Sequence, residues 1–237
     1  MYQPFIPFED IRNLPLPDLA MRVLVSEAGS AHTNLNNVLR GMETAFGDRP
    51  PPDSDELLAR IADAWAWLEA HGFIATHHKN TQSDNWQRVT AMGRELAKDP
   101  DAITKVWASD RLAGDINPLL APARFNFAIG DYETACFAAL KVVEVEVRRV
   151  AGLPDDLTGI KLMRRAFNPN DGRLTDINAE GGEKEAAANL FAGAIGAYKN
   201  PASHRTVQFY DAIEAAEVIQ LADLLLRIVH RAEKRLA

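Results

Sequence analysis

The chain is poor in thiols: Cys136 is the single cysteine among 237 residues. No internal disulfide can form, and the composition suits a reducing compartment. No apolar run approaches the roughly 20 residues that a membrane-spanning helix needs. Met1-Tyr2-Gln3-Pro4-Phe5 offers no basic segment leading into a long apolar stretch, so no secretory signal is read. A cytoplasmic protein with no membrane partner is expected. Positive charge is also short, with 26 Lys and Arg against 33 Asp and Glu and a net charge of −7. That balance argues against a protein that coats nucleic acid along its whole surface.

The acidity is uneven. Residues 1–110 hold 10 Lys and Arg against 16 Asp and Glu, whereas residues 111–237 hold 16 against 17. Contact with a polyanion is therefore easier to place in the second half. Hydrophobic residues make up 47% and charged residues 25%, enough for a packed core. Two modules are expected, at residues 1–110 and 111–237.

In the first module, breakers separate short helices. Leu19–Glu27 lies between Pro17 and Gly29 with Asp18 as a candidate N-cap, and Asn34–Thr44 forms a second helix. Asp55–Ala70 is the clearest, with Leu57, Ile61, Trp65 and Leu68 on one face. An extended run, Phe73–His78, and a returning strand, Trp86–Thr90, flank a polar turn. Thr90 is placed to cap a helix over Ala91–Lys98. Helices, a two-stranded wing and a closing helix resemble a winged helix over residues 17–98. The candidate reader helix carries Asp55, Glu56, Asp63 and Glu69 against Arg60 alone, which disfavours phosphate contact. A protein-contact or dimerisation role suits this module better than DNA reading. His71, His77 and His78 lack a thiolate or carboxylate at metal-ligand spacing and read as a solvated wing. No metal and no cofactor are expected.

Residues 100–130 read as a connecting segment with some helix. From Asp131 the pattern is strongly helical: Phe137, Leu140, Val143, Val147 and Val150 form an apolar stripe, and Lys141, Glu144 and Arg148 a polar one. Glu144 and Arg148 stand four apart in the order that favours an ion pair. A helix over Gly159–Phe167 follows. Gly181-Gly182 reads as a linker turn before a helix over Glu183–Lys199, whose buried side would include Ala187, Leu190, Phe191, Ala194, Ile195 and Tyr198. Gly193 and Gly196 would let a neighbouring helix approach. The last helix, about Phe209–Arg235, is apolar over most of its circumference, which suits a bundle core or a subunit interface.

Lys199-Asn200-Pro201-Ala202-Ser203-His204 is the segment suited to chemistry. Pro201 disfavours helical geometry at Asn200, so the helix should end near Lys199. A cation, an amide and an imidazole together suit a phosphodiester. An ordinary turn, with His204 bonded to a free carbonyl, is the plainer reading of the same residues.

A helix ending in a basic residue, then Asn, then His five residues after the base, resembles the signature of the HEPN superfamily of helical ribonucleases. The text is closer still to its bacterial Ymh-type branch, through Asp156–Met163, Ala166-Phe167, Leu190–Ala194 and Ala197–His204. The resemblance implies a mainly α chain: an N-terminal winged-helix-like α+β module followed by a C-terminal HEPN-like helical bundle that forms a homodimer through its C-terminal helices. It also implies a metal-independent endoribonuclease of bacterial defence or toxin type. His204 would move protons, Lys199 would stabilise charge on phosphorus, Asn200 would orient, and Glu144 would hold Lys199 or a neighbouring Arg. Arg148, Arg164, Arg165 and Arg205 would form a basic rim for RNA. Lys199 stands where the family has Arg, which keeps the charge and loses the planar fork. The alternatives are a non-catalytic scaffold that binds nucleotide, RNA or a protein partner through either module, and a winged-helix DNA-binding regulator.

Overall fold

In the computed structural model, residues 6–78, 85–201, 207, 209 and 211–236 are described. The chain is mainly helical and divides into two compact units, Met1–Ile103 and Thr104–Ala237.

The first unit opens with α1 (Phe8–Asn13), which the sequence pattern did not disclose, and α2 (Leu16–Glu27). Helix α2 starts ahead of Asp18, because Pro17 sits in the first turn, where a missing N–H breaks no helical bond. The side chain of Asn34 accepts from the Asn37 N–H and starts α3 (Leu35–Phe46). Helix α4 (Ser54–Ala70) buries Leu57, Ile61, Trp65 and Leu68 against its neighbours. Strands β1 (Ile74–Thr76) and β2 (Gln87–Val89) pair antiparallel, Ile74 opposite Val89, and Thr33 adds an isolated bridge to Gln87. Thr90 caps α5 (Ala91–Leu96) by accepting from the Gly93 N–H at 3.0 Å.

Two helices occupy the stretch expected to be largely connecting: α6 (Ala102–Arg111) and α7 (Ala121–Ala128), the latter entered through a 3₁₀ turn at Pro118–Leu120. Pro118 and Pro122 fall in first turns, where proline is tolerated, so they mark starts rather than interruptions. The long α8 (Tyr132–Ala151) is capped by Asp131 and closed by Gly152 in the left-handed conformation. It packs against α7, α9 (Gly159–Ala166) and α11 (Ala212–Leu236).

Helix α10 (Gly181–Ala194) begins at the glycine pair read as a linker turn; a capping box between Glu180 and Glu183 fixes its start. Its buried residues are Ala188, Phe191, Ala192 and Ala194, while Leu190 is exposed and Ala187 only half-buried. Among the described residues nothing comes within 4 Å of a Cβ placed on Gly193, whereas the side chain of Ile160 packs over Gly196. Helix α11 buries ten residues from Ala212 to Ala232 within its own unit, so most of its wide apolar face is core. Among the described residues no helix is long and apolar enough to cross a membrane.

Candidate functional site

The end of α10 departs from ideal geometry. Ile195–Lys199 forms a π turn, and the Asn200 N–H donates to the Ile195 carbonyl. Asn200 stays helical (φ −63°, ψ −41°), and the helix runs into Pro201 rather than stopping at Lys199. An α-helical proline clashes with the carbonyl four residues back and supplies no N–H. Widening the preceding turn relieves that conflict and explains how the helix continues.

The widened turn brings Lys199 to α8. Lys199 Nζ lies 3.2 Å from Glu144 Oε2, and Arg148 Nη2 donates to Glu144 Oε1, also at 3.2 Å. Glu144 Oε2 further accepts from the Gly159 backbone N–H at 3.2 Å. Gly159 adopts φ +60°, in the left-handed region that favours glycine, at the point where α9 begins. Arg148 donates through Nε and Nη2 to the Leu157 carbonyl at 3.3 and 3.2 Å. Glu144 lies on the polar stripe of α8, yet its side chain is only 7% exposed, and those of Lys199 and Arg148 15% each. A carboxylate this deep persists because two cations and an amide surround it. The ammonium of Lys199 also lies 5.7 Å from the centre of the Phe137 ring, within cation–π range. The amide of Asn200 packs beside Gly159: a Cβ on that glycine would sit 3.6 Å from Asn200 Oδ1.

A second contact ties down the chain beyond the signature. Val207 N–H donates to Glu133 Oε1, near the start of α8, at 2.8 Å. At 1.5 Å per residue, Glu133 and Glu144 stand about 16 Å apart along α8. Lys199 and Val207 thus both contact α8.

Of the residues expected at the site, Lys199, Glu144 and Arg148 meet, and Asn200 adjoins them. Arg148 is part of this buried cluster and not of an open rim. Arg164 and Arg165 lie on the exposed side of α9, where Arg165 pairs with Asp171 at 2.6 Å. His204 and Arg205 lie outside the described residues. Gly159, Leu157, Phe137 and Glu133 were not anticipated. Glu133, Phe137, Glu144 and Arg148 follow one another at spacings of four, seven and four, a single helical stripe that mixes acid, ring and base.

With this geometry in place, comparison with known proteins adds one family. Residues 117–229 match the family model described as a protein of unknown function, Hypoth_ymh. No curated protein and no solved structure matches the chain. The Hypoth_ymh stretch contains α8, α9, α10 and most of α11, and therefore every residue of the cluster. Elsewhere, His71 stacks on Trp67 with ring centroids 3.8 Å apart, and His77 makes an edge contact with His32. Among the described residues no group of three or more His, Cys, Asp or Glu side chains is arranged to hold a metal ion.

Proposed function

We propose that the second unit is a HEPN-like endoribonuclease of defence or toxin type that cleaves RNA without a metal ion. The observation that carries this reading is the buried Glu144, which holds Lys199 and Arg148 together at the head of the Lys199–His204 segment. A cation fixed by a carboxylate and a ring is preorganised for charge that develops on a phosphoryl oxygen. In the reaction the ribose 2′-hydroxyl attacks phosphorus and gives its proton to a base. The P–O5′ bond breaks, and the leaving oxygen receives a proton from an acid. His204 supplies this proton transfer, together with its counterpart in a second copy of the chain or with water. The products are a 2′,3′-cyclic phosphate and a 5′-hydroxyl. Asn200 orients the phosphate, Glu144 is a positioning residue, and Arg164, Arg165 and Arg205 attract the strand.

The test is cleavage of labelled RNA in EDTA by the full chain. Loss of a positioned acid–base group costs about a hundred- to ten-thousandfold, so His204→Ala should nearly abolish cleavage without loss of helical signal. Lys199→Arg should preserve or raise the rate, because it restores the bidentate fork. Equal cleavage by wild type and His204→Ala would refute the assignment.

The low exposure of Lys199 and its pairing with Glu144 favour a second reading, a non-catalytic scaffold that binds RNA or a nucleotide. RNA binding with no cleavage under any of these conditions would select it. For the first unit, the order α2, Thr33 bridge, α3, α4, β1, β2, α5 supports a winged-helix reading. Its acidic α4 supports a protein partner over DNA.

A further inference from the structure

The first unit contains a cleft of about 380 Å³ between the first turn of α3, the second half of α4 and the two strands. Gln87 forms its floor. The Gln87 backbone exchanges both hydrogen bonds with Thr33, at 2.8 and 2.9 Å. Its side-chain oxygen accepts from the indole N–H of the buried Trp65 at 3.0 Å, and its amide nitrogen donates to Glu69. Glu69 is thereby held at the cleft wall through one carboxylate oxygen. Among the described residues its other oxygen has no protein partner, and the side chain is exposed. The half-buried Trp86 and the amides of Asn36 and Asn85 complete the walls.

Among the described residues, the lining contains one carboxylate, two indoles, several amides, and no Lys, Arg or His. An anion entering here would lose its hydration and meet the like charge of Glu69, with no cation among the described lining residues to offset it. A neutral apolar group would strand the amides and the carboxylate. A planar cation bearing several N–H groups satisfies every part: two donors for the carboxylate, further donors for amide oxygens, and a charged plane for an indole face.

We propose that this cleft binds a guanidinium group, presented either by an arginine of a polypeptide or by a free guanidinoalkylamine. The proposal is independent of the ribonuclease reading, because it concerns the other unit and needs no RNA. The experiment titrates the full chain while following its tryptophan indole N–H resonances by NMR. The probes are agmatine, a blocked tripeptide with central arginine, inorganic phosphate and glucose. The expected result is saturable shifts of the Trp65 and Trp86 signals with both guanidinium probes and none with phosphate or glucose. Tighter binding of the tripeptide assigns a polypeptide source, and tighter binding of agmatine assigns a free amine. Glu69→Gln keeps a carbonyl acceptor for Gln87 and removes only the charge, so it should fold normally and weaken guanidinium binding by about tenfold. Absence of shifts up to about 10 mM of either probe, the scale of the weakest specific contacts, overturns the proposal. So does undiminished binding by Glu69→Gln, or an equal response to glucose.

Discussion

Replacing Glu144 by glutamine tests whether the buried cluster holds the second unit together. The substitution keeps size and one oxygen, so it opens no cavity, and it removes the carboxylate charge that faces both Arg148 and Lys199. Breaking a buried ion pair from one side costs about 3–5 kcal/mol, because the surviving charge remains desolvated. Here the two cations are each 15% exposed, so partial rehydration puts the expected loss near the lower limit, about 3 kcal/mol. Native-state hydrogen exchange of α8 peptides, read by mass spectrometry across a urea series, reports this loss for the unit that contains Glu144. Adding Lys199→Met should restore part of the lost stability, with a coupling of about 1–3 kcal/mol between the two positions. A loss below about 1 kcal/mol for Glu144→Gln, or strictly additive effects in the double variant, would refute the claim that the carboxylate organises the site.

Cys136 is buried, and burial pushes its thiol up to about 12, with Glu214 adding to the shift. It should resist a thiol reagent at pH 8 in the folded chain and react fully in denaturant. A methyl group on Gly93 would stand 2.5 Å from the Phe73 carbonyl oxygen, so Gly93→Ala should destabilise the first unit by about 1–3 kcal/mol in urea unfolding. Hydrogen bonds from Arg149 hold the carboxyls of Glu146 and Glu233 below the usual carboxylate range, with a smaller contribution from His230. Depressed folded-state values mean that this stabilisation is complete above about pH 5 and is lost as pH falls below about 4. The double variant Glu146→Gln/Glu233→Gln should flatten that part of the stability–pH curve, and an unchanged slope would refute the assignment.

The elements that were legible in the sequence are those where periodicity and caps agree. Helix α4 carries four apolar residues on one face and ends before Gly72, and Thr90 announces α5. The stretch across α6 and α7 was not legible, because Pro118 and Pro122 read as breakers in sequence but serve as first-turn residues in the fold. Leu190 and Ala187 misled for another reason. Helix α10 has apolar residues almost all round, so periodicity does not single out the face that meets the core; that depends on how α8 and α9 pack.

The candidate site divides in the same way. The chemistry proposed for the Lys199 segment rests on residue types, and the order Glu144-x-x-x-Arg148 already favoured a pair. Sequence spacing could not show that one carboxylate serves both cations, because that depends on the turn at Ile195–Lys199. Pro201 was read as the end of a helix, whereas the chain absorbs it by widening the turn before it. An extra residue in a turn rotates everything beyond it by about 100° relative to an ideal helix. Lys199 and Asn200 therefore occupy directions that a uniform 3.6-residue projection assigns to other positions. The proline that seemed only to terminate α10 is the residue whose missing N–H and bulky ring favour the π turn. Through that turn, a local backbone conflict sets where the cation meets Glu144.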